Sequence, residues 1–581
     1  MSESHNNSHE QGMEKYFFRA SAADFKKIPG GPVAYWLSDF VLKAFNEGEP
    51  LRAYSKGSTG LQTSDSATFV RYVHEPSASS IGEKWFRFAK GGGFRKWFGN
   101  VEHLVNWEDD GREIKTYVAD KYPYLKGNYA LVVKNESTYF QAGLLTSRVT
   151  SGNLSFRVKE AAEIYADACT AIFPSDPEFF LCLLSTKLLG IIQSLNPTLN
   201  FQAGDIEKFP ILESALALAD RSIAKSCIAI SRTDWDSSES SWDFTSLPLL
   251  QPDYRQPTLK GTYQKLRTYW REMVLEMQRL EEENNRIFID AYGLQDELKP
   301  EVRLNEITLT CNPHYRYAGN KTEEELEALL LADTMRELVS YAVGCMFGRY
   351  SLERAGLVLA NQGETLADYL AQVPQPSFPA DEDNVIPLLD GDWFPDDVTL
   401  RFRQFLRVAF GDVHYEDNLA FIEQALNAKG KRNYSLRDYF LGEFYADHVK
   451  RYKKRPIYWL FSSPKGTFSA LVYLHRYRPD TVSVVLSYLR DFRKKLASRL
   501  DYLQQVAISS SASPSEKTKA IKEAEVVKKQ LLELDDYERD TLYPLATEQR
   551  ELDLDDGVKV NYLKLGGALK KIVGLDAKGE D

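Results

Sequence analysis

Apolar side chains recur at helical spacing in three parts of the chain. The first is a charged stretch from about Thr262 to Tyr292, whose central run EEENN predicts a solvated face. In the second, Thr322 and Glu325 have the spacing of a capping box. The apolar positions that follow this box are Leu326, Leu329, Leu330, Leu338 and Val343. The third part is residues 485–545, which predict a helical hairpin joined by SSSASPS. Its two apolar stripes are Phe492, Leu496, Leu500 and Leu503, then Ile521, Ala524, Leu531 and Leu534.

The amino-terminal part has a different pattern. Proline and glycine clusters at 29–32, 57–60 and 91–93 separate short runs such as ALVVK and LSFRV, which predicts a mixed sheet. The most apolar stretch, Phe179 to Leu195, contains Lys187 and is shorter than a bilayer span. We expect it to be a buried core helix that ends before Pro197.

These patterns predict a mixed α/β, multidomain protein: α/β units, helical connectors and a C-terminal helical hairpin. The proline- and aspartate-rich region from about 366 to 395 is expected to be an exposed connection. The expected divisions are a disordered tail (1–24), a first α/β domain (25–230), a helical connector (231–365), a second α/β domain with a basic patch (366–484), the hairpin (485–545) and a C-terminal segment (546–581).

Composition narrows the class of protein. With 581 residues the chain is long enough for several domains. Its five cysteines are scattered and show no metal-binding spacing, which favours buried thiols in a reducing cytoplasm. The start of the chain, MSESHNNSHEQG, has no apolar core of a signal peptide, and we expect no membrane segment.

The net charge of −11 gives no overall attraction to nucleic acid. Two segments nevertheless concentrate positive charge: residues 84–97 (KWFRFAKGGGFRKW) and residues 448–455 (HVKRYKKR) each hold five cations and no acid. The cations could neutralise phosphates while glycines allow close approach. They could equally be solvated charges on a surface loop and a helix face.

Motif searches give one near-match to catalysis. The sequence contains no GxxxxGK[ST], HExxH or GxSxG motif. Cys311–Tyr315 reads CNPHY, close to the Asn-Pro-Pro-Tyr of amino-methyltransferases, but His314 replaces the second proline and no glycine-rich cofactor loop precedes it. A turn before the Thr322 helix is the simpler interpretation.

Six blocks of sequence resemble one family. They are GLQTSDSATFVRY (60–72), KGGGFRKWFGNVEHLVNWEDDGREIK (90–115), LNPTLNFQAGDIEKFPI (195–211), SYAVGCMFGRYSLERAGLVLA (340–360), KRPIYWLFSSPKGTFSALVYLHRY (454–477) and LDDGVKVNYLKLGGALKK (554–571). In this order they are similar to the carboxy-terminal half of PglX-type adenine-specific DNA methyltransferases of BREX phage-defence systems. Some are also similar to specificity regions of single-chain restriction-modification methyltransferases.

The resemblance implies a target-recognition portion whose catalytic half, with its S-adenosylmethionine loop, is absent from this chain. It implies no catalytic, cofactor-binding or metal-binding residue here, and double-stranded DNA, a methyltransferase half or subunit and other BREX proteins as partners. The residues expected on DNA are Gln62, Thr63, Asp65, Arg87, Lys90, Arg95, Lys96, Lys450, Arg451, Lys453, Lys454 and Arg455.

Two other functions remain open from sequence. One is a self-sufficient methyltransferase with the CNPHY turn as a degenerate active site. The other is an interaction scaffold of a defence complex, with solvated basic patches and the hairpin as its docking element.

Overall fold

A computed structural model describes residue 28 and residues 36–149, 153–196, 198, 200–218 and 221–575. The predicted disordered tail lies outside these residues. The mixed α/β prediction is confirmed, and helix predominates. The predicted domain boundaries stay predictions.

The strands are short and lie mainly in two regions. They are β1 Glu49–Pro50, β2 Ser58–Thr59, β3 Val70–Tyr72, β4 Trp85–Ala89, β5 His103–Asn106, β6 Gly143–Ser147, β7 Phe156–Lys159, β8 Glu163–Tyr165, β9 Cys169–Ile172, β10 Pro210–Ile211, β11 Val385–Pro387, β12 Tyr458–Ser462 and β13 Ser469–Tyr473. Over the described ranges they form four sheets, ordered β1-β10, β2-β9-β6-β7, β3-β5-β4-β8 and β11-β13-β12.

The helices surround and connect these sheets. They are α1 Asp39–Glu47, α2 Ser66–Phe69, α3 Glu108–Lys121, α4 Pro177–Leu184, α5 Gly190–Leu195, α6 Ala203–Ile206, α7 Glu213–Leu216, α8 Ser222–Trp235, α9 Leu259–Tyr292, α10 Pro313–Arg316, α11 Glu323–Met346, α12 Leu366–Gln372, α13 Val398–Phe410, α14 Tyr415–Leu426, α15 Leu436–Tyr439, α16 Tyr445–Arg451, α17 Thr481–Ile508, α18 Pro514–Tyr537, α19 Tyr543–Glu548 and α20 Gly557–Lys564. Five-residue π-helical segments join α15 to α16 and α18 to α19.

The first β-rich region contains the sheet that carries the first cationic segment. In this sheet β4 pairs antiparallel with β5, placing Phe86 opposite Val105, and parallel with β8, placing Phe88 opposite Ile164. Phe88, Val105 and Ile164 are buried in one apolar cluster. This sheet therefore holds β4, and with it Lys84 and Arg87, in a fixed register.

The sheet β11-β13-β12 is apolar on both faces because helices cover both. Successive strand residues point to opposite faces. Tyr458 and Leu460 of β12 join the cluster around α11, whereas Trp459 and Phe461 join the cluster of the C-terminal helices. This explains why YWLFS reads as a continuous apolar run with no polar alternation.

The long helices begin at their sequence signals, but the solvated face expected at EEENN is wrong, because Glu281, Asn284 and Asn285 of α9 are buried. The capping box at Thr322 and Glu325 is present at the start of α11. Helices α17 and α18 pack against each other, with Ser513 as the N-cap of α18. On this pair Phe492 and Leu534 are buried, but Ile521, expected on the apolar stripe, is exposed.

Two expectations about single segments are wrong. The proline- and aspartate-rich region is not simply an exposed connection, because Phe378, Ile386 and Leu388 are buried and β11 completes a sheet. The apolar stretch from 179 to 195 is not one helix, since it breaks between α4 and α5. Among the described residues no single helix has the length and apolarity to cross a membrane. The segments Pro177–Leu184 and Lys187–Leu195, bent by 69° at their junction, reach that length and apolarity only when taken together.

The C-terminal segment returns to the first β-rich region. The Asp555 carboxylate accepts hydrogen bonds from the Trp85 indole (2.7 Å) and the Lys84 ammonium (2.8 Å). Its carbonyl oxygen accepts from the Arg71 guanidinium at 2.8 Å. Arg71 and Asp555, almost 500 positions apart along the chain, thus belong to one hydrogen-bonded wall of the first β-rich region.

Gly60 shows why the first residue of GLQT must be glycine. A Cβ there would lie 1.9 Å from the carbonyl oxygen of Tyr165, so the two backbones would have to separate. We expect Gly60→Ala to lower the free energy of unfolding by about 3 kcal/mol, the upper range for forcing extra atoms into a packed site. Chemical denaturation measures this. Gly93→Ala, which meets no atom within 4 Å, is the matched control and should stay within about 0.5 kcal/mol of the unmodified protein.

Candidate nucleic-acid interface

The glycine run of the first cationic segment is anchored to the protein. Gly92 donates to and accepts from the Ser147 hydroxyl, and the Asn100 amide donates to the Gly93 carbonyl at 2.9 Å. Gly91 has a φ of 94°, which favours glycine. Gly92 and Gly93 are still exposed, so one side of the run faces solvent.

Arg95 and Lys96 do not fit the expected phosphate contacts. Arg95 is 2% exposed, donates to Asp234 at 2.8 Å and stacks over the Trp235 ring at 4.7 Å. Lys96 is 9% exposed and pairs with buried Glu281. Buried charges need partners of this kind, and both cations have found theirs inside the protein. We therefore correct their role to holding this segment against α8 and α9.

Arg87 is also engaged within the protein. Its guanidinium donates to Asp243 at 2.6 Å, lies 3.6 Å from Glu160 and stacks over the Trp242 ring at 4.9 Å. A DNA contact by Arg87 would have to compete with this half-buried arrangement.

The second cationic segment begins in the last turn of α16 and continues into a strained turn at Lys453 and Lys454, which we call the lysine turn. Lys453 and Lys454 have φ angles of 52° and 60°, the left-handed region that costs a residue with a Cβ about 1–2 kcal/mol. Both side chains are exposed, as is that of Lys450. Arg455 is buried, and its carbonyl oxygen lies 3.0 Å from Nε2 of His74. The turn therefore presents two adjacent lysines at an energetic cost to the fold.

The two cationic segments meet at one cleft of about 420 Å³, which we call the first cleft. Four of the blocks quoted above contribute to its lining, which is Ser64, Asp65, Ser66, Ala67, Val70, Arg71, Tyr72, Glu75, Lys90, His103, Arg455, Asp556, Gly557 and Lys559. Burial and then the charges of Lys90 and Lys453 lower the pKa of His103 to about 3. The same imidazole therefore lies within the electrostatic reach of both segments.

Each acid that lines the first cleft has a hydrogen-bond or ion-pair partner within the protein. Asp65 caps α2 through the amide of Thr68. The Glu75 carboxylate accepts from the amides of Tyr72 and Val558, both at 2.9 Å. Asp556 pairs with Lys564 at 2.7 Å, outside the lining. The lining holds three acids and four cations, Arg71, Lys90, Arg455 and Lys559, and Lys453 and Lys454 directly precede Arg455, so the cleft and its rim have a positive balance.

The residues of the GLQT block that were expected to contact DNA do not all reach the first cleft. Of Gln62, Thr63 and Asp65, Asp65 lines the first cleft, whereas Thr63 is buried. Next to them, Ser64 adopts a left-handed φ of 63°, and its buried hydroxyl has no partner among the described residues. Strain and an unpaired polar group at one residue are typical of a binding loop.

Sequence reasoning missed several lining residues, among them Ser64, Arg71, His103 and Lys559. All four lie inside blocks that carry the family resemblance. That resemblance was the signal that could have found them, because charge density alone points only to runs of lysine and arginine. Arg71 is a wall residue, since its guanidinium donates to three backbone carbonyl oxygens.

Acidification is expected to destabilise the fold through its buried histidines. Burial first, then neighbouring cations, lower the pKa of His103 and of His475 to about 3. The unfolded chain takes up these protons near pH 6.5 and the folded chain does not, so stability present above pH 6.5 is lost as pH falls towards 3. At pH 5 the loss is about 2 kcal/mol for each histidine.

Urea unfolding at pH 5 and pH 7 measures this loss. His103→Gln removes one titrating group and should reduce the difference between the two pH values by about 2 kcal/mol. An unchanged difference in this variant would contradict a His103 imidazole that stays neutral in the folded chain at pH 5.

The CNPHY turn has a structural role. Asn312 is buried, its amide donates to the carbonyls of Leu304 (2.7 Å) and Ile307 (2.9 Å), and its oxygen accepts from the His314 amide. The Tyr315 hydroxyl donates to the Phe94 carbonyl at 2.6 Å. Neither side chain is available to a substrate amine in this arrangement, which removes the geometric basis for a degenerate active site.

Comparison with known proteins points to one class, the adenine-specific methyltransferases, in which the chain has homologues. Adenine-specific methyltransferase BrxX of Escherichia coli O9:H4 (strain HS) is 35% identical over 575 residues, covering 95% of this chain and 46% of that protein. Adenine-specific methyltransferase PglX of Lacticaseibacillus casei (strain Zhang) is 32% identical over 586 residues, covering 96% and 46%. The chain thus spans about half the length of these relatives. No family model matches it.

Among solved structures, the type IIL restriction-modification enzyme MmeI in complex with DNA overlaps 50% of this chain and 36% of its own. The TM-score is 0.24 and the identity 12%. A likeness this low supports no conclusion about the fold or the mode of binding.

Proposed function

We propose that this chain is a DNA-binding target-recognition portion of a BREX-type adenine-specific methyltransferase, and that it lacks the catalytic half. One observation carries the proposal: cationic residues from distant blocks converge at the first cleft, where they outnumber the acids of the lining. The homology to adenine-specific methyltransferases over nearly the whole chain supports DNA as the ligand.

Within this proposal the residues that meet DNA are a subset of those expected from sequence. Lys453 and Lys454 at the rim, with Lys90 and Lys559 in the first cleft, would contact backbone phosphates. The loop of Ser64, Asp65 and Ser66 would face base edges, because its short polar side chains line the cleft beside the cations. Arg95 and Lys96 are excluded by their burial.

The proposed chain supplies sequence choice and transfers no methyl group by itself. S-adenosylmethionine would be held by the catalytic half, either in a longer polypeptide or in a separate subunit. This portion would orient the duplex so that a chosen adenine reaches that half.

Salt dependence tests DNA binding directly. Binding of a labelled duplex should weaken as salt rises from 50 to 200 mM. A plot of the logarithm of the binding constant against the logarithm of the salt concentration should have a slope of about −0.9 for each phosphate neutralised, or about −3.6 for four lysine contacts. Fluorescence anisotropy at several salt concentrations measures the slope. A flat response would refute the proposed mode of binding.

The scaffold alternative keeps one observation in its favour. Ile508, Leu532 and Ile521 of the helix pair α17–α18 are exposed apolar side chains. Charge reversal at Lys453 and Lys454 distinguishes the two functions. A DNA-binding portion should lose affinity for duplex DNA. A scaffold should keep its protein partners, and its unmodified form should not bind DNA.

A further inference from the structure

A second cleft of about 420 Å³ adjoins the lysine turn. Lys450, Arg451 and Lys453 line it, whereas Arg455, two residues further on, lines the first cleft. The segment 450–455 therefore divides its cations between two clefts. The second cleft has the size of a small-ligand site, which usually measures about 300–1,000 Å³.

The acids of the second cleft are paired with arginines. Asp333 lies 3.1 Å from Arg316 and 2.9 Å from Arg336. Arg316 also pairs with Glu337 at 3.0 Å, and Arg336 with Asp447 at 3.1 Å.

Tyrosine hydroxyls satisfy these acids further. The Tyr317 hydroxyl donates to Asp333 at 2.7 Å, and that of Tyr439 donates to Asp447 at 3.0 Å. The three lining acids thus have donors of their own. Among the lining cations of segment 450–455, Lys453 lies 3.9 Å from Glu102, which is outside the lining.

Arg451 is a lining cation with an unused donor. Its Nε is buried and has no hydrogen-bond partner in the described part of the chain. Burial opposes its charge, but the nearby acids Glu239 and Glu337 outweigh burial and raise the pKa of the guanidinium. A charged, buried donor without an acceptor is costly unless a ligand completes it.

Hydroxyl groups lie on the same lining. Ser237, Ser238 and Ser240 border the cleft, and the hydroxyls of Ser238 and Ser240 are 2.9 Å apart. A hydroxyl can rotate to donate to an oxyanion, so this loop can supply neutral donors beside the charged ones.

We propose that the second cleft binds a phosphate group, held by Arg451 Nε and the ammonium groups of Lys450 and Lys453. The phosphate could belong to a DNA backbone that continues from the first cleft over Lys453, in which case the inference rests on the proposed function. It could also belong to a free nucleotide, for which DNA binding is not required.

Titration with inorganic phosphate, and separately with adenosine monophosphate, tests the cleft at constant ionic strength. Binding is followed by calorimetry and by the melting temperature of the full chain. Lys450→Gln and Arg451→Gln should each weaken binding about tenfold, the loss of one charge-assisted hydrogen bond. Lys519→Gln, on α18 and outside the lining of both clefts, should leave it unchanged. Lys450 is exposed, so its variant remains informative if Arg451→Gln fails to fold.

Duplex DNA provides the second arm of the experiment. If Lys450→Gln weakens phosphate and duplex binding together, the ligand is the DNA backbone. If it weakens phosphate and adenosine monophosphate alone, the ligand is a nucleotide, and both results support the site. No binding of phosphate to the unmodified chain, or binding insensitive to Lys450→Gln, overturns it. A failure of the proposed DNA-binding function would give a different result: the unmodified chain would bind phosphate but would not bind duplex DNA.

Discussion

Replacing Lys453 and Lys454 by glycine is expected to stabilise the protein and at the same time to weaken its binding to duplex DNA. Both residues have left-handed backbone angles, which glycine adopts without strain. The free energy of unfolding should therefore rise by about 0.5–1 kcal/mol for each position. Each substitution also removes a cation, so binding should fall about tenfold per lysine at low salt, and the log-log salt slope should shrink by about 0.9 per lysine.

Two controls separate the effects of strain and charge. Gln549 has a left-handed φ of 49°, so Gln549→Gly should stabilise the fold without changing DNA binding. Lys519 is an exposed lysine on α18, so Lys519→Gln should change neither quantity appreciably. Unchanged duplex affinity in the Lys453→Gly, Lys454→Gly double variant would remove the lysine turn from the interface. Denaturant unfolding and fluorescence anisotropy measure the two quantities.

Arg95→Ala is expected to have the opposite profile, a large loss of stability with little effect on DNA binding by the folded fraction. The substitution leaves buried Asp234 without its guanidinium partner. Breaking a buried ion pair in this way costs about 3–5 kcal/mol. Asp234 keeps the amides of Thr310 and Cys311, which moderates the loss towards the lower value.

A double-mutant cycle identifies the source of this loss. Arg95→Met combined with Asp234→Asn removes both charges and keeps an acceptor oxygen for a backbone amide, so it should be less destabilising than Arg95→Met alone. If Arg95→Ala left stability within about 1 kcal/mol of the unmodified chain but weakened duplex binding about tenfold, the buried role assigned to Arg95 would be wrong.

The helices were largely predictable because their signals are local. A capping box, a turn rich in serine and an apolar stripe all act within a few residues, and α11 and α18 begin where these signals place them. The break between α4 and α5 had no such signal. It becomes clear only from the packing around it, where the Lys187 amide donates to Asn285 of α9.

The chemistry of the cationic segments was less predictable because their partners are distant in sequence. Asp234 is 139 residues from Arg95, and Glu281 is 185 residues from Lys96. A local count of charge cannot include such acids, so it overestimates the free cations. In the lining of the first cleft, the count pointed to Lys90 but missed Lys559, a single lysine among acidic neighbours.

The wall built from Arg71, Trp85 and Asp555 also sets an order of events during synthesis. A growing polypeptide leaves the ribosome with GLQT and the glycine run long before Asp555 and Lys559 exist. The nascent protein can fold its amino-terminal sheets early, yet the first cleft lacks part of its lining until Asp556 and Lys559 have been synthesised.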